Sequence, residues 1–241
     1  MHWFVGWDVG GWNCDRNRNS RDALAVLSRQ DDRLTACGEI FRGNIRQQIN
    51  EFDTLVEIIN ERCETEIIAD DSITLAIDTP LGMSNALVAL LTGGPIPDTI
   101  PPSYSENPYL FRHTEQWLFE NEYSPLSAIK DMIGSQSTKA MHLLRKLGLR
   151  TSAEQCGVWR RGTVTAIEAY PTTCKRSQRM TQLFTSLNLE LMEQDKTDAV
   201  YCALVAYVFA TERDSLVAPQ GNPSPSEGWI WIPVDAFNHP A

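Results

Sequence analysis

Residues 73–78 read Ile-Thr-Leu-Ala-Ile-Asp, a compact apolar run that ends in an acid. Just before it, over 45–62, Ile45, Ile49, Phe52, Val56 and Ile59 recur at steps of three and four. That is the spacing of one buried helix face. A strand that follows a helix points to a crossover, and hence to a parallel neighbour in the same sheet. This pair of segments restricts the chain to α/β architectures with a partly parallel sheet.

The remaining elements are read around that pair. Residues 3–8 form a short buried strand broken by Gly10-Gly11. Residues 22–28 and 34–41 are two further strands, and the strand-turn-strand order of the first three suggests an antiparallel meander. Residues 163–169 are another strand, stopped by Pro171, and 229–232 a last short one. Segments 112–121 and 125–147 look mainly helical. The helix 195–211 carries Val200, Leu204 and Val208 among apolar neighbours, which makes it nearly fully buried. Between 92 and 109 lies a Gly- and Pro-rich loop, of a length that is usually functional or mobile. No repeat, low-complexity tract or interdomain linker divides the chain. It reads as one domain over 1–241, with a helical or loop insertion at about 84–160.

The 241 residues suffice for a real core. No apolar run approaches the ~20 residues of a membrane helix, and the start, Met1 to Gly6, lacks the pattern of a signal peptide. Six cysteines, at 14, 37, 63, 156, 174 and 202, show no C-x-x-C spacing, which argues against structural zinc. Reduced thiols in a cytoplasm are the expectation. The net charge of −10 argues against a nucleic-acid partner, but its distribution is uneven. Between Lys139 and Arg179 nine basic residues oppose Glu154 and Glu168, a local +7 that leaves −17 for the rest. A solvated charged face would give the same pattern.

The acids supply a sharper signal. Asp8 ends the first strand, Asp78 the strand after the first helix, and Glu168 stands near the end of a later one. Asp195 and Asp198 open the last long helix, three residues apart and so on one face. Neighbouring strand ends lie about 4.8 Å apart, so acids there converge. Carboxylates that close repel and raise each other's pKa unless cations neutralise them. Hard divalent ions with oxygen ligands do this, which makes Mg²⁺ or Mn²⁺ the natural choice. Two such ions could activate a water and stabilise the leaving oxygen in phosphodiester hydrolysis. Singly, each acid also fits a lesser role. A strand-end Asp can close a turn, and Asp195 can be the N-cap of its helix.

Several strings resemble domain-of-unknown-function family 429: Gly6-Trp7-Asp8-Val9-Gly10, Ala76 to Gly82, Arg112-His113-Thr114-Glu115, Ile167 to Pro171, Asp195 to Ala199, and Glu227 to Pro233. They span nearly the whole chain. The resemblance implies a nuclease of ribonuclease H-like fold: a mixed five-stranded sheet, its first three strands antiparallel and the others parallel, flanked by helices. The Asp195-x-x-Asp198 string is similar to the last motif of RuvC-type junction resolvases. By that likeness Asp8, Asp78 and Asp198 are core metal ligands, and Glu168 is an extra acid. Asp8, Asp78, Glu168 and Asp198 are thus the catalytic candidates. Together with Asp195 they are the metal candidates, for two Mg²⁺ or Mn²⁺ ions.

Arg112 and Glu115 match the family's Arg-x-x-Asp/Glu motif. Arg112 could grip phosphate bidentately, or form an ion pair with Glu115 on one helical turn. Lys139, Arg160, Arg161 and Lys175 are candidates for binding a nucleic-acid backbone, with Trp159 either stacking on bases or in the core. Two other readings stay open. Asp8-Val9-Gly10-Gly11 resembles the first phosphate loop of actin-like and sugar-kinase-like phosphotransferases and ATPases, although no second loop is seen. A non-catalytic ribonuclease H-like binding protein would keep the acids for folding. No Gly-x-Ser-x-Gly, Walker or His-Glu-x-x-His motif occurs.

Overall fold

A computed structural model describes residues 1–17, 19–31, 33–152 and 155–237. In chain order the elements are β1 (His2–Asp8), β2 (Asp22–Gln30), β3 (Arg33–Ala36), β4 (Phe41–Gly43), α1 (Arg46–Glu51), α2 (Leu55–Cys63), β5 (Ser72–Asp78), α3 (Asn85–Thr92), α4 (His113–Glu120), α5 (Gly134–Lys146), β6 (Arg150–Thr151), β7 (Val158–Arg161), β8 (Val164–Ala169), α6 (Pro171–Cys174), α7 (Gln178–Ser186), α8 (Gln194–Thr211) and β9 (Ile230–Trp231). Four short 3₁₀ turns accompany them among the described residues.

The strands form one nine-stranded sheet in the order β3-β2-β1-β5-β8-β7-β6. β4 lies beside the start of β2, and β9 beside the end of β8. β1, β5 and β8 run parallel. β2 is antiparallel to β1, β3 and β4, and β7 is antiparallel to β8 and β6. The meander and the parallel pairing around 73–78 are as expected. The sheet, however, has nine strands where five were expected.

The additional strands have local causes. The expected strand 34–41 is two strands, parted at Gly38. Its φ of +64° is open to glycine, and a Cβ there would lie 1.9 Å from the Cys63 carbonyl oxygen. The expected helix 45–62 is also two, because Thr54 and Glu57 form a capping box that restarts the helix at Leu55. Within the insertion, Val158 and Trp159 are buried and build the β6–β7 hairpin onto the sheet edge.

Side-chain alternation along the strands sorts the core into two layers. Phe4, Ala25 and Ala76 belong to the face covered by α8. Val5, Trp7, Leu75 and Ile77 belong to the opposite face, with Ile49, Ile58, Ile59, Leu143 and Leu144 of α1, α2 and α5. α8 is buried without a break from Ala199 to Phe209, and Leu204 and Val205 each gain roughly 1.5–3 kcal/mol from it. The helix lies close because Gly6 has no side chain. A Cβ there would come within 1.9 Å of the Ala199 carbonyl oxygen. That approach brings the start of α8 to the ends of β1 and β5. No helix among the described residues is long and apolar enough to cross a membrane.

Candidate metal centre

Asp8 and Asp78 are paired across β1 and β5, on the last rung of each strand. By the alternation above, both fall on the face that α8 covers, the side of Phe4, Gly6 and Ala76. Asp198, in the second turn of α8, completes a group of three. All three line one cavity of about 270 Å³, with Thr79, Tyr170 and Leu126 among the other walls.

Electrostatics records how crowded the group is. Burial raises Asp8 well above the ordinary carboxylate range, and the charges of Asp78, Asp198 and Asp195 add to this. Asp78 is pushed up to about 8, by burial first and then by Asp198 and Glu168. Neither carboxylate has a hydrogen-bond partner among the described residues. Lys175, just past α6, places its Nζ 2.6 Å from Asp198 Oδ1. That ion pair is the contact Oδ1 makes among the described residues. The other oxygen of Asp198 accepts from Gln194 Nε2 at 2.8 Å. Thr79 Oγ1 is buried with no partner.

Glu168 stands one rung short. Its register partner on β5 is Ile77, not Asp78, so its side chain leaves the strand on the other face, yet at the strand end it still borders the cavity of the three aspartates. There Arg112 holds it bidentately, Nη1 to Oε2 at 2.8 Å and Nη2 to Oε1 at 2.7 Å, and the Leu81 amide adds a third bond at 3.0 Å. Arg112 also donates to Glu115 through Nε and Nη2 and to the Glu227 carbonyl through Nη1. All five guanidinium donors are therefore used inside the protein, and both Arg112 and Glu115 are buried. The expected phosphate grip by Arg112, with Glu115 at the substrate, is replaced by a structural clamp on Glu168.

Asp195 is near the group but committed elsewhere. Its Oδ1 accepts from Arg42 Nε of β4 at 2.7 Å, and its Oδ2 from the Arg21 amide at 3.3 Å. Nor is it the N-cap of α8, a position held by Glu193.

The expected basic surface is dispersed. Lys139 is fully buried and ion-paired with Asp22, and its Nζ also reaches Asn44 Oδ1 at 3.1 Å. Arg160 and Arg161 pair with Thr165 and Val164 at the beginning of β8. From Val164 to Glu168 the strand advances about 13 Å at ~3.3 Å per residue, so both arginines sit toward the far edge of the sheet. Arg161 donates to the Leu147 carbonyl there. Trp159 is in the core. Lys146 satisfies the Ile49 and Phe52 carbonyls after α1, and Arg179 pairs with Glu212. Of the four basic candidates for the backbone, Lys139, Arg160, Arg161 and Lys175, only Lys175 reaches the three aspartates, at Asp198.

Sequence reasoning passed over Asp22 and Thr79. Asp22 accepts from Trp7 Nε1 and the Gly10 amide through Oδ1, and from the Ile45 amide and Lys139 through Oδ2. It thereby fixes the loop that leaves Asp8. The available signal was an acid opening the otherwise apolar run Ala23 to Leu27.

The donors facing the cavity are carboxylate and hydroxyl oxygens, which suit Mg²⁺ or Mn²⁺ in kind. In position they are incomplete: among the described residues no three His, Cys, Asp or Glu side chains form a ready cage. Comparison with models of protein families, with curated proteins and with solved structures found no match.

Proposed function

We propose that the chain is a divalent-metal-dependent phosphodiesterase of ribonuclease H-like fold, acting as a nuclease. The observation that carries this reading is the Asp8–Asp78 pair, set in register, facing Asp198, and without hydrogen bonds among the described residues. Carboxylates in this state need a cation more than they need each other. The strand order β3-β2-β1-β5-β8, antiparallel and then parallel, supports the ribonuclease H-like reading. The resemblance to domain-of-unknown-function family 429 supports it as well.

In this reading Asp8, Asp78 and Asp198 hold Mg²⁺ or Mn²⁺, with Lys175 withdrawing from Asp198. The bound ions supply water activation and neutralisation of phosphoryl charge. The protein's own groups do the rest. Arg112 holds Glu168 fixed beneath Asp78. Asp22 holds the loop after Asp8 in place.

The phosphotransferase reading gains less support. Its phosphate loop would use the amides after Asp8, yet the Gly10 amide already donates to Asp22 at 2.9 Å. A Cβ on Gly10 would lie 2.6 Å from the Asp22 nitrogen, so this glycine is required by packing alone.

The test is Mn²⁺-dependent cleavage of a labelled panel: single strand, duplex, RNA–DNA hybrid and four-way junction. Cleavage by the unaltered protein, lost in Asp8→Asn and Asp198→Asn, is the expected result. A protein that takes up no Mn²⁺ by calorimetry would sink the proposal.

A further inference from the structure

The cavity over the acids is small and has two kinds of wall. Its volume of about 270 Å³ falls just below the range of small-molecule pockets, ~300–1,000 Å³. Asp8, Asp78, Asp198 and the Arg112-held Glu168 supply the acidic part. Pro125, Leu126 and Ile133 of the insertion, with Tyr170, supply an apolar part. The Tyr170 ring is half-buried and held by its hydroxyl, which donates to the Ser124 carbonyl at 3.2 Å. No lysine or arginine is among the described residues that line the cavity.

Proteins that bind duplexes neutralise several backbone phosphates with Lys and Arg. Here the basic residues that could have done so are mostly buried, paired or on the far edge of the sheet. A fixed aromatic ring in a narrow cavity suits something else, a single base stacked on its face. Thr79 adds an independent sign of a ligand. It is 5% exposed, its Oγ1 has no partner, and it lines the same cavity. A buried hydroxyl left unsatisfied is costly, and a phosphate oxygen would satisfy it.

We infer that the unit entering this cavity is one unpaired nucleotide, its base against Tyr170 and the Leu126–Ile133 wall, and its phosphodiester between Thr79 and the acids. The inference rests on the metal-site reading and narrows its substrate to unpaired phosphodiesters, from a single strand or from a dinucleotide. Base-paired substrates are excluded by size and charge.

The test is equilibrium binding with Ca²⁺ in place of Mn²⁺, after Mn²⁺ uptake has been measured by calorimetry. The probes are a thymidine dinucleotide, a 12-nucleotide single strand, and the blunt duplex of that strand. Both unpaired probes should bind at least tenfold more tightly than the duplex. A single strand bound more tightly than the dinucleotide marks a polymer substrate, and equal affinities mark the small one. Tyr170→Ala should weaken the unpaired probes roughly tenfold or more, and Tyr170→Phe should not. Thr79→Val should weaken them roughly tenfold with Mn²⁺ uptake intact, and Thr79→Ser should restore binding. Mn²⁺ uptake combined with duplex binding as tight as single-strand binding overturns this inference alone. Indifference to Tyr170→Ala overturns it as well. No Mn²⁺ uptake by the unaltered protein overturns the metal reading, and this inference with it.

Discussion

Asp8 and Asp78 are direct neighbours across two parallel strands, on the last rung of each and on the face that α8 covers. Adjacent strands are about 4.8 Å apart, so the two carboxylates cannot separate without breaking the pairing. The metal-free fold therefore carries the cost of their crowding, as proton uptake by Asp78 below pH about 8 and as repulsion above it. Replacing Asp78 with Asn removes the ionisable group and leaves the shape. Asp78→Asn should stabilise the metal-free protein by about 1 kcal/mol, the usual gain when a strained functional group is relieved, and should abolish stabilisation by Mn²⁺. Thermal unfolding in EDTA and in Mn²⁺ reads both effects. A variant less stable than the parent in EDTA would show that the pair is not repulsive.

The same crowding sets a pH dependence. Asp78 has its pKa raised from 3.8 to about 8 in the folded state, so between those values the folded protein holds a proton that the unfolded chain has released. Stability then falls as pH rises through this window, because the folded state binds more protons. Metal affinity runs the other way, since the carboxylate must ionise to bind. In EDTA the contribution of Asp78 should be present at pH 4 and lost by pH 8. In Mn²⁺ the stabilisation should grow over the same interval. The difference between parent and Asp78→Asn isolates the group from other titrations.

Asp8, Asp78 and Asp198 were legible because each ends or begins an element whose period is clear in the sequence. Glu168 was legible as an acid near a strand end, but not in its role. A one-rung offset in register decides which face a side chain takes, and the offset between β5 and β8 is fixed by tertiary packing. Arg112 shows the same limit. The i, i+3 spacing gave its contact with Glu115, while the bonds to Glu168, 56 residues away, depend on the fold. Lys139 was misread for a simpler reason. A lysine among Ser, Thr and Ala on a helix looks solvated, and only the arrival of Asp22 from β2 makes its burial tolerable. Gly38 and the Thr54–Glu57 box were visible signals, and they split elements that apolar periodicity alone had joined.

Arg112 neutralises two buried carboxylates, Glu115 and Glu168. Arg112→Met would strand both, and breaking a buried pair costs about 3–5 kcal/mol. Urea unfolding should show a loss in that range. Arg112→Lys should recover only part of it, because a point charge cannot bridge both acids with the geometry of a guanidinium. Full recovery by lysine would mean that charge alone matters at this position.

Arg160 and Arg161 lie toward the far edge of the sheet from the acids. Replacing both with alanine should leave the affinity for single strands within about twofold, at a salt dependence unchanged from the parent, since no phosphate contact is lost. A tenfold drop with a shallower salt slope would restore the basic segment as a nucleic-acid surface.

The buried Lys139–Asp22 pair links α5, which belongs to the insertion, to the loop after Asp8. Lys139→Met leaves Asp22 charged and buried. Asp22 would keep its bonds from Trp7, Gly10, Ile45 and the Cys14 thiol, but would lose its counterion, at a cost of about 3–5 kcal/mol. Asp22→Asn alone strands the lysine and weakens the hold on the loop. In the double variant neither charge remains, so its loss of stability should be smaller than the sum of the two single losses by about 1 kcal/mol or more, the coupling expected of groups in direct contact. A double-mutant cycle by urea unfolding gives that coupling. Mn²⁺ calorimetry on the double variant then separates two roles. Stability regained with Mn²⁺ affinity still reduced would mean that the pair positions Asp8. If both return together, the pair serves the fold alone.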